Sequence, residues 1–211
     1  MTPLIRQLAL LAACVALNAE TRPSVAVYMD FAEKPSASSI QAMQREVESL
    51  LKPAGLQLHW RDANEGNMGR EDFTDLYVFR FNGRCHMDGV QFLFSELGPY
   101  GETVVLGTSK TVNHEILPFG SVECDPIRRS VTPAVIGRAH PRREQVLGRA
   151  MGRVLAHELF HMMTRRSKHS ESGVFRDSQR TEYLVADEFG FDPAEEAELR
   201  RIGNRYTSPR R

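Results

Sequence analysis

The chain has 211 residues, enough for one domain with a core of its own and hardly enough for two. Its 27 basic side chains balance 27 acidic ones, so the clustered basic excess of a nucleic-acid binder is absent and no nucleic-acid partner is expected. No apolar run reaches the ~20 residues of a membrane-spanning helix, so no transmembrane segment is expected and the chain reads as a monomer.

Residues 1–19 have the pattern of a signal peptide: Arg6 as the positive start, an apolar run from Leu8 to Leu17, and Ala19 as a small residue at a cleavage point. Within it Leu11-Ala12-Ala13-Cys14 is similar to a bacterial lipobox, so lipid anchoring through Cys14 is the alternative to release as a secreted or periplasmic protein. Export leaves Cys85 and Cys124 as an even pair in an oxidising compartment, which predicts a disulfide. Closing a loop of that length stabilises by roughly 4 kcal/mol on the chain-entropy account. Residues 20–211 then form a single domain.

Ser24 to Met29 is a β-branched and apolar run that predicts a first strand. From Ser36 to Lys52 the apolar residues Ile40, Met43, Val47, Leu50 and Leu51 recur at helical spacing, and Pro53 and Gly55 end the helix. Leu56 to Trp60 and Asp75 to Phe81 predict further strands. Gln91 to Phe94 and Thr103 to Leu106 are shorter candidates around a Gly98-Pro99 turn, and Leu117 to Val122 reads as an extended edge segment. A long helix opens at Pro141 and runs to about Arg166, with Val146, Leu147, Ala150, Met151, Val154 and Leu155 in register. A short helix follows Asp177 or Ser178. A last one begins with the capping-box pattern Asp192-Pro193-Ala194-Glu195 and stops near Gly203, and the basic tail from Arg200 to Arg211 reads as a solvated end. Strands first and helices afterwards give an α+β class.

The long helix carries His157-Glu158-Leu159-Phe160-His161, an HExxH pattern. At about 100° per residue, His161 falls about 40° from His157, so both imidazoles leave one helix face and are close enough to bind one ion. Glu158, about 100° from His157, flanks them, placed to accept a proton from a water on that ion. Zinc suits the set because it takes imidazole nitrogens in tetrahedral geometry and keeps one position open. The same face carries Leu147, Ala150, Met151 and Val154, while Arg149 and Arg153 fall on the opposite side, so the motif is expected to look into the domain.

With this motif the chain resembles the zincin metallopeptidases. From His157 to Val174, through Lys168-His169-Ser170 and Gly173, it is similar to small uncharacterised secreted bacterial proteins classed as metallopeptidases. The resemblance implies a twisted mixed sheet packed on a long active-site helix, C-terminal helices after it, one Zn2+ per chain, and a peptide or protein substrate. It departs from the metzincin branch. The glycine and third histidine of that branch correspond to Thr164 and Ser167, His169 comes two residues late, and no methionine follows Met163.

His169 is the first candidate for a third metal ligand, because a loop through Ser167 and Lys168 can return it over the metal, with Gly173 permitting a tight return. Glu182 is the rival, by resemblance to enzymes whose downstream helix supplies a glutamate. Cys124 is a third, by resemblance to peptide deformylases. His59, His86, His114 and His140 have no ligand spacing. The expected activity is zinc-dependent peptide-bond hydrolysis with Glu158 as general base. The alternatives are a zinc-stabilised binding or inhibitory domain and a metal-free domain with a chance motif.

Overall fold

A central strand buried on both faces organises the molecule. In the computed structural model, which describes residues 23–65, 72–88, 104–177 and 180–207, strand β1 (Ser24–Glu33) has Val25, Ala26 and Val27 fully buried. Its near-continuous apolar run is what a parallel strand with neighbours on both sides requires. Helix α1 (Ala37–Leu51) leads from it to the parallel strand β2 (Gln57–Asp62), the crossover that parallel neighbours need. Ser36 caps α1 by accepting the Ser39 N–H at 3.1 Å. Strand β3 (Asp75–Arg84) lies on the other side of β1, also parallel. Strands β4 (Gly107–Val112) and β5 (Glu115–Glu123) form a hairpin, with β5 parallel to β3 and β4 antiparallel on the outside. The mixed five-stranded sheet has the order β2-β1-β3-β5-β4.

The remaining elements are helical: α2 (Cys124–Val135), α3 (His140–Thr164), α4 (Thr181–Val185) and α5 (Pro193–Thr207). The α+β class therefore holds. Val25, Val27, Met29, Tyr77, Phe79, Phe81 and Val122 from the sheet share one core with Leu147, Met151, Leu155 and Leu159 of α3. Among the described residues no helix is long and apolar enough to cross a membrane. The signal-peptide segment, Cys14, the candidate strand from Gln91 to Phe94 and the Gly98-Pro99 turn lie outside the described residues.

Several boundaries differ from expectation for identifiable reasons. Leu117–Val122 belongs to β5, an interior strand; the edge on that side, among the described strands, is β4, which begins at Gly107, just after the expected Thr103–Leu106 segment. The two meet at Asn113-His114, both with positive φ (50° and 66°), the backbone of a tight hairpin turn. Helix α2 follows β5 without a loop and contains Pro133, which hides it from propensity. Gly203 does not stop α5. A side chain there would stand 2.0 Å from the Ala54 carbonyl, so the glycine serves a close helix contact.

Helix α3 is a central helix rather than a half-exposed one: every residue from Ala150 to Met163 is buried. It approaches α1 closely at Gly148 and Gly152, where a Cβ would lie 2.2 Å from Ser39 O and 2.7 Å from Met43 O. Arg153, expected on the outer side, is 1% exposed. Its guanidinium pairs with Glu46 of α1 at 2.7 Å and donates to the carbonyls of Tyr183 and Ala186, while Arg149 donates to Val185 O at 2.8 Å. These bonds satisfy carbonyls that the short helix α4 leaves open at its C-terminus. The back of α3 thus fixes the element that shares a cleft with its histidine side.

Cys85 and Cys124 are joined in a disulfide, with Cα atoms 4.9 Å apart. Cys85 follows β3 and Cys124 opens α2 directly after β5, so the bridge clips the C-terminal ends of two adjacent parallel strands.

Candidate metal centre and cleft

The helical spacing of His157 and His161 brings their Nε2 atoms to 3.1 Å. His169 reaches the same point: its Nε2 lies 3.2 Å from that of His157 and 3.1 Å from that of His161. The return that places it is built in three steps. Arg165 takes a left-handed conformation (φ 55°) and ends α3 at Thr164, earlier than the expected Arg166. The Ser170 N–H then donates to Phe175 O at 2.8 Å, closing a short bridge between Ser170 and Arg176. Gly173 turns that bridge with φ 73°, and a side chain there would meet Glu195 and the Asp192 backbone. The last helix is anchored beside it by the expected capping box, with Asp192 accepting the Glu195 N–H and Glu195 accepting the Asp192 N–H, each at 2.8 Å.

The protonation of the three rings follows from their outer nitrogens. His157 Nδ1 lies 2.9 Å from Val174 O and His161 Nδ1 lies 2.6 Å from Arg166 O. A carbonyl only accepts, so each Nδ1 carries the proton and each Nε2 turns a lone pair inward. His169 Nδ1 faces Asp177 Oδ1 at 3.1 Å, the same arrangement with a carboxylate. Burial holds His157 down to about 3 and His161 below the ordinary histidine value, so both stay neutral and able to ligate. Three inward lone pairs repel one another unless a cation lies between them. The donor set fits zinc: two nitrogens about 2.0–2.1 Å from one ion at the tetrahedral angle stand about 3.3 Å apart.

Phe175, fully buried, forms the floor beneath all three rings, with centroids 4.4 Å from His161 and 5.3 Å from both His157 and His169. Glu158 lies on the opposite side, against the edge strand. Ser109 of β4 donates to its Oε2 at 2.6 Å. Burial pushes the carboxyl up to about 7, and the Ser109 hydrogen bond opposes that rise. The histidines and Glu158 open onto a cleft of about 850 Å³ walled by β4 and the Val104–Leu106 segment on one side and by Arg180, Thr181 and Glu182 on the other.

The other candidates separate cleanly. Glu182 lines the far wall but is largely exposed, and its carboxylate pairs with Arg180 at 3.7 Å rather than joining the histidines. Cys124 is taken by the disulfide. His59 lies beside Phe73 with the rings tilted, His114 sits in the hairpin turn, and His86 lies 3.2 Å from Glu33. Asp88, His140 and Glu144 form a second group, but its 2.6 Å His140–Asp88 contact has the length of an ion pair. Glu144 there is occupied by Ser36, Ser39 and the Met87 N–H, which tie the starts of α1 and α3 together.

Sequence reasoning missed Ser109, Phe175 and Asp177. Asp177, eight residues after His169, is the one a search for carboxylate partners near a ligand histidine would have found. No family model matches this chain, and no curated protein or solved structure matches it either.

Proposed function

We propose that this protein is an exported zinc-dependent metallopeptidase of the zincin type, with His157, His161 and His169 as metal ligands and Glu158 as general base. The observation that carries the reading is the convergence of three imidazole Nε2 atoms at 3.1–3.2 Å beside a buried carboxylate in one open cleft. A zinc ion held there would supply Lewis acidity, drawing the pKa of a water toward 7 and polarising a carbonyl.

The chain's own residues supply the rest. Glu158 accepts a proton on its carboxylate and returns one to the leaving amine, a task suited to a carboxyl held near neutrality. Among the described strands β4 is one of the two outermost and it runs along the cleft, so its outer edge can pair with an extended peptide backbone. Exposed Val104 and Val105 continue that wall with apolar surface for substrate side chains. The Cys85–Cys124 disulfide supports an extracytoplasmic location.

The test combines metal analysis with a peptide-library digest. Purified mature protein should carry one zinc per chain and cleave. Glu158→Gln should keep the zinc and lose at least about 100-fold in rate, which corresponds to roughly 2.7 kcal/mol of transition-state stabilisation. Full activity in that variant, or a chain without zinc, overturns the reading.

A further inference from the structure

We propose that Ser109 is a positioning residue: its hydroxyl holds the Glu158 carboxylate in the cleft, in a notch that Gly107 leaves open. This rests on the peptidase reading of the site. A glutamate has three rotatable side-chain bonds, and a general base must stand within about 2.6–3.2 Å of the proton it takes. Something other than the helix must therefore select one orientation of the carboxylate, and the edge strand does so.

Ser109 Oγ lies 2.6 Å from Glu158 Oε2 and 3.3 Å from the Glu158 carbonyl oxygen, so one hydroxyl spans the side chain and backbone of the same residue. Its single proton goes to the nearer, more basic carboxylate oxygen, a short charge-assisted bond. Among the described residues no second donor reaches the carboxylate, which leaves Oε1 with its lone pairs for proton transfer.

Two residues earlier on the same face of β4, Gly107 makes room for this arrangement. A Cβ at Gly107 would stand 3.0 Å from Glu158 Oε1, 3.1 Å from Glu158 Cγ and 2.7 Å from Val154 Cγ1. Any side chain there would press on the carboxylate that Ser109 anchors. The ladder keeps the two positions in register, pairing Gly107 with Val122 and Ser109 with Gly120. Gly120 is itself tight: a Cβ there would meet Phe79, Thr108 O and Met162 at 2.7–2.8 Å, which fixes how closely the hairpin lies on α3. A Gly-x-Ser stretch on the edge strand thus sets the height and direction of the base. A purely structural serine would face α3 backbone alone; this one faces the reacting group.

The experiment uses the full-length mature protein as purified, with Ser109→Ala, Ser109→Thr, Glu158→Ala and the Ser109→Ala/Glu158→Ala double variant. Zinc affinity of the serine variants, read against a competing chelator, should match the parent. On a peptide substrate Ser109→Ala should lose about 10- to 100-fold in kcat, the scale of a misplaced catalytic group. KM should stay within about 2-fold. Ser109→Thr, which keeps the hydroxyl, should restore most of the rate. Melting temperatures of the parent, the two single alanine variants and the double variant close a cycle independent of turnover, in which the shift caused by Ser109→Ala should shrink once Glu158 is alanine. Parental kcat in Ser109→Ala, an effect confined to KM, no recovery with threonine, or additive melting shifts would each overturn the assignment. If no variant nor the parent hydrolyses peptides, the peptidase reading falls, and the thermal cycle alone still decides whether Ser109 holds Glu158.

Discussion

Asp177 Oδ1 stands 3.1 Å from His169 Nδ1, and both residues lie on the loop that leaves α3 and returns over the site. The carboxylate orients the ring and makes its inner nitrogen a better donor. Because the Asp177 side chain is 86% exposed, water can replace part of this effect. Asp177→Ala should therefore weaken zinc binding by about 10-fold, the low end for such partners. Asp177→Asn, whose amide oxygen still accepts, should lose less. Competitive chelator titration measures both, and an alanine variant indistinguishable from the parent would refute the role.

His169 and Glu182 make opposite predictions. His169 supplies an Nε2 to the convergence point, whereas Glu182 is exposed and paired with Arg180 on the cleft wall. His169→Ala should weaken zinc by more than the roughly 100-fold upper range for indirect partners, and Glu182→Ala should leave it nearly unchanged. The reverse result would place the protein with enzymes that use two histidines and a glutamate.

Gly148 tests the packing of α3 against α1. By intrinsic propensity alone, Gly→Ala within a helix stabilises by about 1 kcal/mol. Here the new methyl would lie 2.2 Å from the Ser39 carbonyl, a backbone atom that cannot move aside as a flexible side chain would. Gly148→Ala should instead destabilise by about 1–3 kcal/mol, the usual cost of overpacking. For a domain of this size that lowers the melting temperature by about 2–4 °C per kcal/mol. Gly190→Ala, with nothing within 4 Å of its Cβ, is the control and should change little. A rise in melting temperature for Gly148→Ala would show that the α1–α3 contact is looser than described.

The Cys85–Cys124 bridge spans 39 residues of sequence and joins the ends of β3 and β5. Mass spectrometry of the unreduced protein should find neither thiol free. Replacing both cysteines with serine should cost about 2–5 kcal/mol, the usual loss for a native disulfide. Ready alkylation of both without reductant would return Cys124 to the candidate ligands.

What the sequence by itself determined is what local periodicity encodes. The spacing of His157 and His161 on a helix, the flanking Glu158, the Asp192 cap and the β-branched core of β1 all depend on neighbours within a few residues. The same range carried the expectation of His169, because a glycine-turned loop of eight residues has few ways to return. The disulfide, 39 residues apart, was legible through cysteine count and the expected compartment rather than through geometry.

Tertiary structure alone decided the rest. Arg153 fell on the polar side of the helical wheel, yet it is buried, because α1 and α4 bring a carboxylate and two carbonyls to it from 30 or more residues away. Ser109 meets Glu158 across 49 residues, and Phe175 became the floor of the site only when its loop folded under three rings. Pro133 concealed α2 because propensity weighs a missing N–H without seeing the core that the helix covers. Local pattern names the groups that can do chemistry. Packing between distant segments fixes which way they point, because burial and hydrogen-bond partners are supplied by residues that no short window contains.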